Sequence, residues 1–140
     1  MAAVLSIASW EADNIGMSTD ATTLTSEVEI YLRAWKPHHN ILLDQPQTGI
    51  SGRSHEFSFL VDGELIDVVS SMPQATAAEV RKLADVRGIP SQTETPIRII
   101  LDDRPNLARA KQEAMILSRF ADVMFLTALQ DKINLAAPSH

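Results

Sequence analysis

Two apolar-rich runs meet at Asp62-Gly63 between His55 and Ser70, and this pair constrains the fold more than any other feature of the chain. Asp-Gly suits a two-residue type I′ turn, whose positive backbone angles match the twist of the strands it joins. The turn sets a register: Val61 opposite Glu64, Leu60 opposite Leu65, Phe59 opposite Ile66, Ser58 opposite Asp67, Phe57 opposite Val68 and Glu56 opposite Val69. Strand alternation then puts His55, Phe57, Phe59, Ile66 and Val68 on one face, a set with the composition of a core. The other face carries Glu56, Ser58, Leu60, Leu65, Asp67 and Val69, so that an Asp sits inside a strand directly across from a serine.

The elements around the hairpin follow from spacing and punctuation. Leu24, Val28, Tyr31 or Leu32, and Trp35 form a one-sided helical stripe, with Thr23 as N-cap and Pro37 as stop. Ile41-Leu42-Leu43 is a short apolar run, and Thr48-Gly49-Ile50-Ser51-Gly52 reads as a flexible turn before the hairpin. Thr76-Ala77-Ala78-Glu79 matches a capping box, and Val80, Leu83 and Ala84 continue a stripe that Gly88 closes. Ile97-Arg98-Ile99-Ile100-Leu101 is a β-branched strand. Pro105 opens a third helix through Leu107, Ala110, Ala114, Leu117 and Ala121, and Val123 to Thr127 form a last strand, after which the chain is expected to fray.

The expected order is α-β-β-β-α-β-α-β. That is an α/β (α+β) domain whose mixed sheet is antiparallel at its hairpin, flanked by helices, with the last two helices as right-handed crossovers. At 140 residues the chain has room for one domain, expected over 21–129, with a peripheral segment 1–20 and a tail 130–140.

Composition bounds the chemistry. There are no cysteines, which excludes disulfides, thiolate metal sites and cysteine nucleophiles. Asp and Glu number 18 against 12 Lys and Arg, a net charge of −6 that argues against a general nucleic-acid binder. No apolar run nears the roughly 20 residues a bilayer span needs, and the Met1 end lacks the order of a secretory signal, so a cytoplasmic, non-membrane protein is expected.

Five further groups carry candidate chemistry. Asp102-Asp103-Arg104 follows a strand and precedes a helix, where open α/β sheets build sites; the simpler expectation is that Asp103 caps the helix begun by Pro105. His38-His39 lacks a third ligand at zinc spacing. Ser51, Ser54, Ser70 and Ser71 lack a nucleophile elbow, and Gly49-Ile50-Ser51-Gly52 lacks the lysine of a phosphate loop. Arg81, Lys82, Arg87, Arg104, Arg109, Lys111 and Arg119 concentrate the positive charge beyond residue 80, although interspersed acids make solvated helices the expected outcome. Trp10, Asp62 and Glu64 are the candidates for contact with a partner.

A helix, a three-strand meander, then a helix and a strand, with acids on the second and third strands, resembles the core of the PD-(D/E)XK, or restriction-endonuclease-like, superfamily over about Leu24 to Leu101. Locally, Thr48-Gly49-Ile50-Ser51-Gly52, His55-Glu56-Phe57-Ser58-Phe59 and Ile99-Ile100-Leu101-Asp102-Asp103 look like a bacterial domain of unknown function carried by phages and other mobile elements. The resemblance implies an Asp on the second strand, then an acid, any residue and a lysine on the third. In the hairpin register these positions are Ser58, Asp67 and Val69, so only Asp67 matches. Lys82 lies on the following helix and Arg53 precedes the strand, and neither is expected to replace the missing lysine.

The expected function is therefore a non-catalytic protein-binding or regulatory module on a degenerate nuclease-like fold, associated with phage or mobile-element biology and needing no cofactor. One alternative is a Mg²⁺-dependent nuclease using Glu56 and Asp67, with Asp102 and Asp103 as further metal candidates. Another is a structural subunit that assembles as a homo-oligomer.

Overall fold

The computed structural model describes residues 23–136. Helix α1 spans residues 23–35. It is followed by β1 (Ile41–Thr48), β2 (Ser54–Val61), β3 (Glu64–Ser70), α2 (Pro73–Arg87), β4 (Ile97–Asp102), α3 (Leu107–Leu117), β5 (Asp122–Phe125) and α4 (Leu126–Ala136). The five strands lie in chain order, β1-β2-β3-β4-β5. The first two pairings are antiparallel, and β3–β4 and β4–β5 are parallel. The α/β class and the element order follow the sequence reading, with α4 added at the end.

Helices cover both faces of the sheet. Leu83 and Val86 of α2, with Ala110 and Leu117 of α3, pack on Leu65, Val69, Ile97, Ile99 and Leu101. On the opposite face, Val28 and Leu32 of α1 and Leu126 and Leu129 of α4 pack on Phe59, Val61, Ile66 and Ile100. The period-two alternation of β3 and β4 makes this possible, because each strand feeds both cores. Truncating a fully buried side chain such as Leu32 or Leu83 in either core costs about 2–5 kcal/mol.

Four boundaries differ from the sequence reading. Helix α2 begins at Pro73, a turn before the supposed capping box; Met72 is its N-cap, and Thr76 Oγ1 turns back to the Pro73 carbonyl at 3.0 Å. Proline at the first helical position needs no N–H partner, so it sets the start. Helix α3 is capped by Asn106, whose side chain accepts from the Arg109 amide. Asp103 caps α4 instead, accepting from the Thr127 amide at 3.1 Å and the Thr127 hydroxyl at 2.5 Å. The segment expected to continue a strand and then fray is helical from Leu126 because that cap and the burial of Leu126 and Leu129 stabilise it.

The hairpin register holds only next to its turn. Phe59, Leu60 and Val61 pair with Ile66, Leu65 and Glu64 as expected, and Asp62 and Gly63 have φ of 54° and 80°. Beyond Phe59 the ladder stops, and Phe57 joins the α2–α3 core while Phe59 belongs to the α1–α4 core. Phe57 and His55 therefore leave the face assigned to them by simple alternation. The cause is local: Asp67 Oδ1 accepts from the Ser58 amide at 3.0 Å and its hydroxyl at 3.2 Å. A side chain thus takes the place of a ladder bond. On the other side of β2, Asp44 between the Leu43–Phe59 and Gln45–Phe57 pairs has φ of 50°, so both strands bend at this level.

Candidate functional site

Asp67 is the best buried of the sequence-derived site residues, at 4% exposure on β3. Alternation along β3 points it toward α2, and α2 answers with two side chains one turn apart, Glu79 and Lys82. The Lys82 ammonium lies 2.5 Å from Asp67 Oδ2 and 3.9 Å from Glu79 Oε1. It also donates to the Glu56 carbonyl at 2.6 Å and sits 4.6 Å from the centre of the Phe57 ring. Its contact with Asp67 Oδ2 is that of an ion pair, not of a well-directed hydrogen bond. Lys82 thus reaches the position by Asp67 that sequence reasoning left without a lysine. Its spacing from Glu79, three residues on one helix, was the available signal.

The cluster is closed. Asp67 Oδ1 is held by Ser58, Oδ2 by Lys82, and Lys82 itself is pinned between a carbonyl, a carboxylate and a ring. Burial first, and the neighbouring Asp67 carboxylate second, push the Glu79 carboxyl up to about 9, against an opposing pull from Lys82. The raised Glu79 carboxyl favours its protonated form in this surrounding. Glu56 contributes its backbone carbonyl, while its side chain is exposed.

The other acids proposed as ligands are occupied by protein donors. Arg104 binds Asp102 Oδ1 at 2.8 Å and reaches Glu27 of α1 at 2.7 Å, tying the end of β4 to that helix. The hydrogen bond from Arg104 and a second from Tyr31 hold the Glu27 carboxyl below the usual range. Asp103 is the α4 cap. Glu56 and Asp67, on one side, are not brought together with Asp102 and Asp103, and no group of three or more His, Asp or Glu with metal-binding geometry occurs among the described residues.

The partner candidates fare differently. Asp62 is paired with Lys36 at 3.4 Å and His39 at 2.8 Å, and Glu64 with Arg98 at 3.2 Å. Both acids rim a cavity of about 290 Å³ floored by Leu32, Val61 and Ile66. Trp10 lies outside the described residues.

Two structural devices escaped the sequence reading. The Gly49–Arg53 loop is docked on α2 through Asp85, which accepts from the Ser51 amide at 2.9 Å, the Ser51 hydroxyl at 2.7 Å and pairs with His55 Nε2 at 2.8 Å. The His55 contact, with Ser51 next, brings the Asp85 carboxyl down to about 2. Serine and histidine both bind the carboxylate, so this is not the relay of a hydrolytic triad. The second device is Arg87, whose guanidinium donates to the carbonyls of Gln92, Thr95 and Phe120 and joins the loops entering β4 and β5. With Lys82 and Arg104 also turned to internal partners, the candidate basic face is reduced to Arg81, Arg109, Lys111 and Arg119, in keeping with the expected solvated helices.

Comparison of the chain with protein-family models, curated proteins and solved structures finds no match. No helix among the described residues is long and apolar enough to cross a membrane.

Proposed function

We propose that the chain is a non-catalytic protein-binding module built on a nuclease-like α/β scaffold. The observation that carries this reading is the closed ion pair between Asp67 and Lys82. A working metal site needs carboxylate oxygens free to bind a cation and open to a phosphodiester. Here Asp67 is buried and engaged at both oxygens, and burial raises the carboxyl of its neighbour Glu79. The net charge of −6 adds a barrier to a polyanionic substrate.

A Mg²⁺-dependent nuclease is the second reading, and one observation favours it: Asp67, Glu79 and Lys82, two acids and a lysine, converge from adjacent elements. That reading requires Lys82 to withdraw and Glu79 to ionise on binding metal. Incubation of the purified chain with single- and double-stranded DNA and RNA in Mg²⁺ or Mn²⁺ separates the two. No cleavage above that of an Asp67→Ala variant is expected. Cleavage that Asp67→Ala or Lys82→Ala abolishes would overturn the binding-module reading.

A further inference from the structure

We infer that the outward face of α3 is a docking surface for an acidic, apolar segment of a partner protein. The inference rests on the binding-module reading and gives the partner a chemistry. Ala110 and Leu117 turn α3 toward the sheet, and Glu113 is spent on the Thr76 hydroxyl of α2. Helical spacing gathers Lys111, Met115 and Ile116 on the opposite side, with Arg119 just beyond the last turn. Met115 is 73% and Ile116 47% exposed, and Leu107 flanks them at 49%. No acid shares this face.

Charge gives the face its sign. Arg33, Lys36, Lys82, Arg98 and Arg104 are held in ion pairs and Arg87 by carbonyls. Lys111 and Arg119 have no such partner among the described residues. Arg53, Arg81 and Arg109 also lack an ion pair among the described residues, so what the α3 face offers is two unpaired cations beside exposed Met115 and Ile116 on a chain of net charge −6. Adjacent large apolar side chains rimmed by one sign of charge mark an interaction surface, and methionine adapts its shape to what it meets. The positive rim selects carboxylates, and the apolar centre supplies the area that binding must bury. A phosphate backbone fits poorly: it leaves Met115 and Ile116 uncovered, and two free cations are few beside the roughly 6–10 phosphate contacts of a typical site.

The test is titration of the isotope-labelled chain, by heteronuclear NMR, with a synthetic amphipathic peptide of Glu and Leu. A Lys-Leu peptide of the same pattern, duplex DNA and anionic phosphatidylserine vesicles are the comparison ligands. Saturable shifts confined to residues around Lys111, Met115, Ile116 and Arg119 are expected with the acidic peptide. The affinity should fall about tenfold in Met115→Glu and again in Lys111→Glu/Arg119→Glu, with unchanged melting curves. It should also fall as salt rises. Absent saturation with the Glu-Leu peptide, equal binding of the Lys-Leu peptide, binding unaffected by both variants, or tighter binding to DNA or vesicles overturns the assignment. The cleavage assay is independent, so a chain that cuts no nucleic acid and ignores the acidic peptide loses the α3 surface while the non-catalytic reading stands.

Discussion

Glu79 is a buried acid set beside a second carboxylate. It is 8% exposed, and its proton is held up to about 9. In the unfolded chain it titrates near 4.5. The folded state therefore keeps a proton that the unfolded chain releases above that pH. Its contribution to stability is fully present below about pH 4.5 and is lost as pH rises toward about 9. Glutamine copies the neutral carboxyl in shape and removes the titration. Glu79→Gln should match the parent near pH 4.5 and exceed it at pH 8 by at most about 5 kcal/mol, read from urea denaturation at the two values. Equal destabilisation at both pH values would mean that Glu79 is ionised in the fold and paired with Lys82.

At the level of elements, the Gly49–Arg53 loop is rigid because α2 holds it. A Cβ on Gly49 would lie 2.0 Å from Asp85 Oδ2, and Asp85 is already committed to Ser51 and His55. Gly49→Ala must expel the carboxylate and is expected to cost about 1–3 kcal/mol in chemical denaturation. Asp85→Ala alone also destabilises by removing the latch, but it clears the space, so the double variant should lose less than the sum of the two singles. Strict additivity would show that the loop does not lean on Asp85. This latch was invisible in the sequence for the same reason the hairpin register failed beyond Phe59. A turn pair such as Asp62-Gly63 acts on its own neighbours, and its consequences out to Phe59 and Ile66 were legible. Asp85 meeting Ser51 and Asp67 meeting Ser58 are side-chain contacts between elements, which no periodicity records. Lys82 illustrates the middle case: its helix was legible, while its aim at Asp67 is a contact between elements that the stripe of Val80, Leu83 and Ala84 does not record.

Across the whole molecule, chain order and sheet order coincide, so stability should be graded from the middle outward. β3 and β4 are covered by helices on both faces and pair over six residue positions, Leu65–Ile97 to Ser70–Asp102. β1 is an edge strand with Leu42 and Leu43 exposed, a positive φ at Asp44 and a proline at position 46. Gln45 Nε2 donates to the Leu43 carbonyl at 2.8 Å. These are the devices by which edges resist pairing with other chains, and they weaken β1 as they protect it. Native-state hydrogen exchange should therefore find the amides of Val68, Val69, Ile99 and Ile100 opening only with global unfolding. Gln45 and Gln47 amides should exchange through local opening at a lower free energy that responds little to denaturant. Uniform protection across β1 and β3 would instead indicate that β1 is covered in solution, as a strand-paired oligomer would cover it, and the protection of Leu43 would then rise with protein concentration.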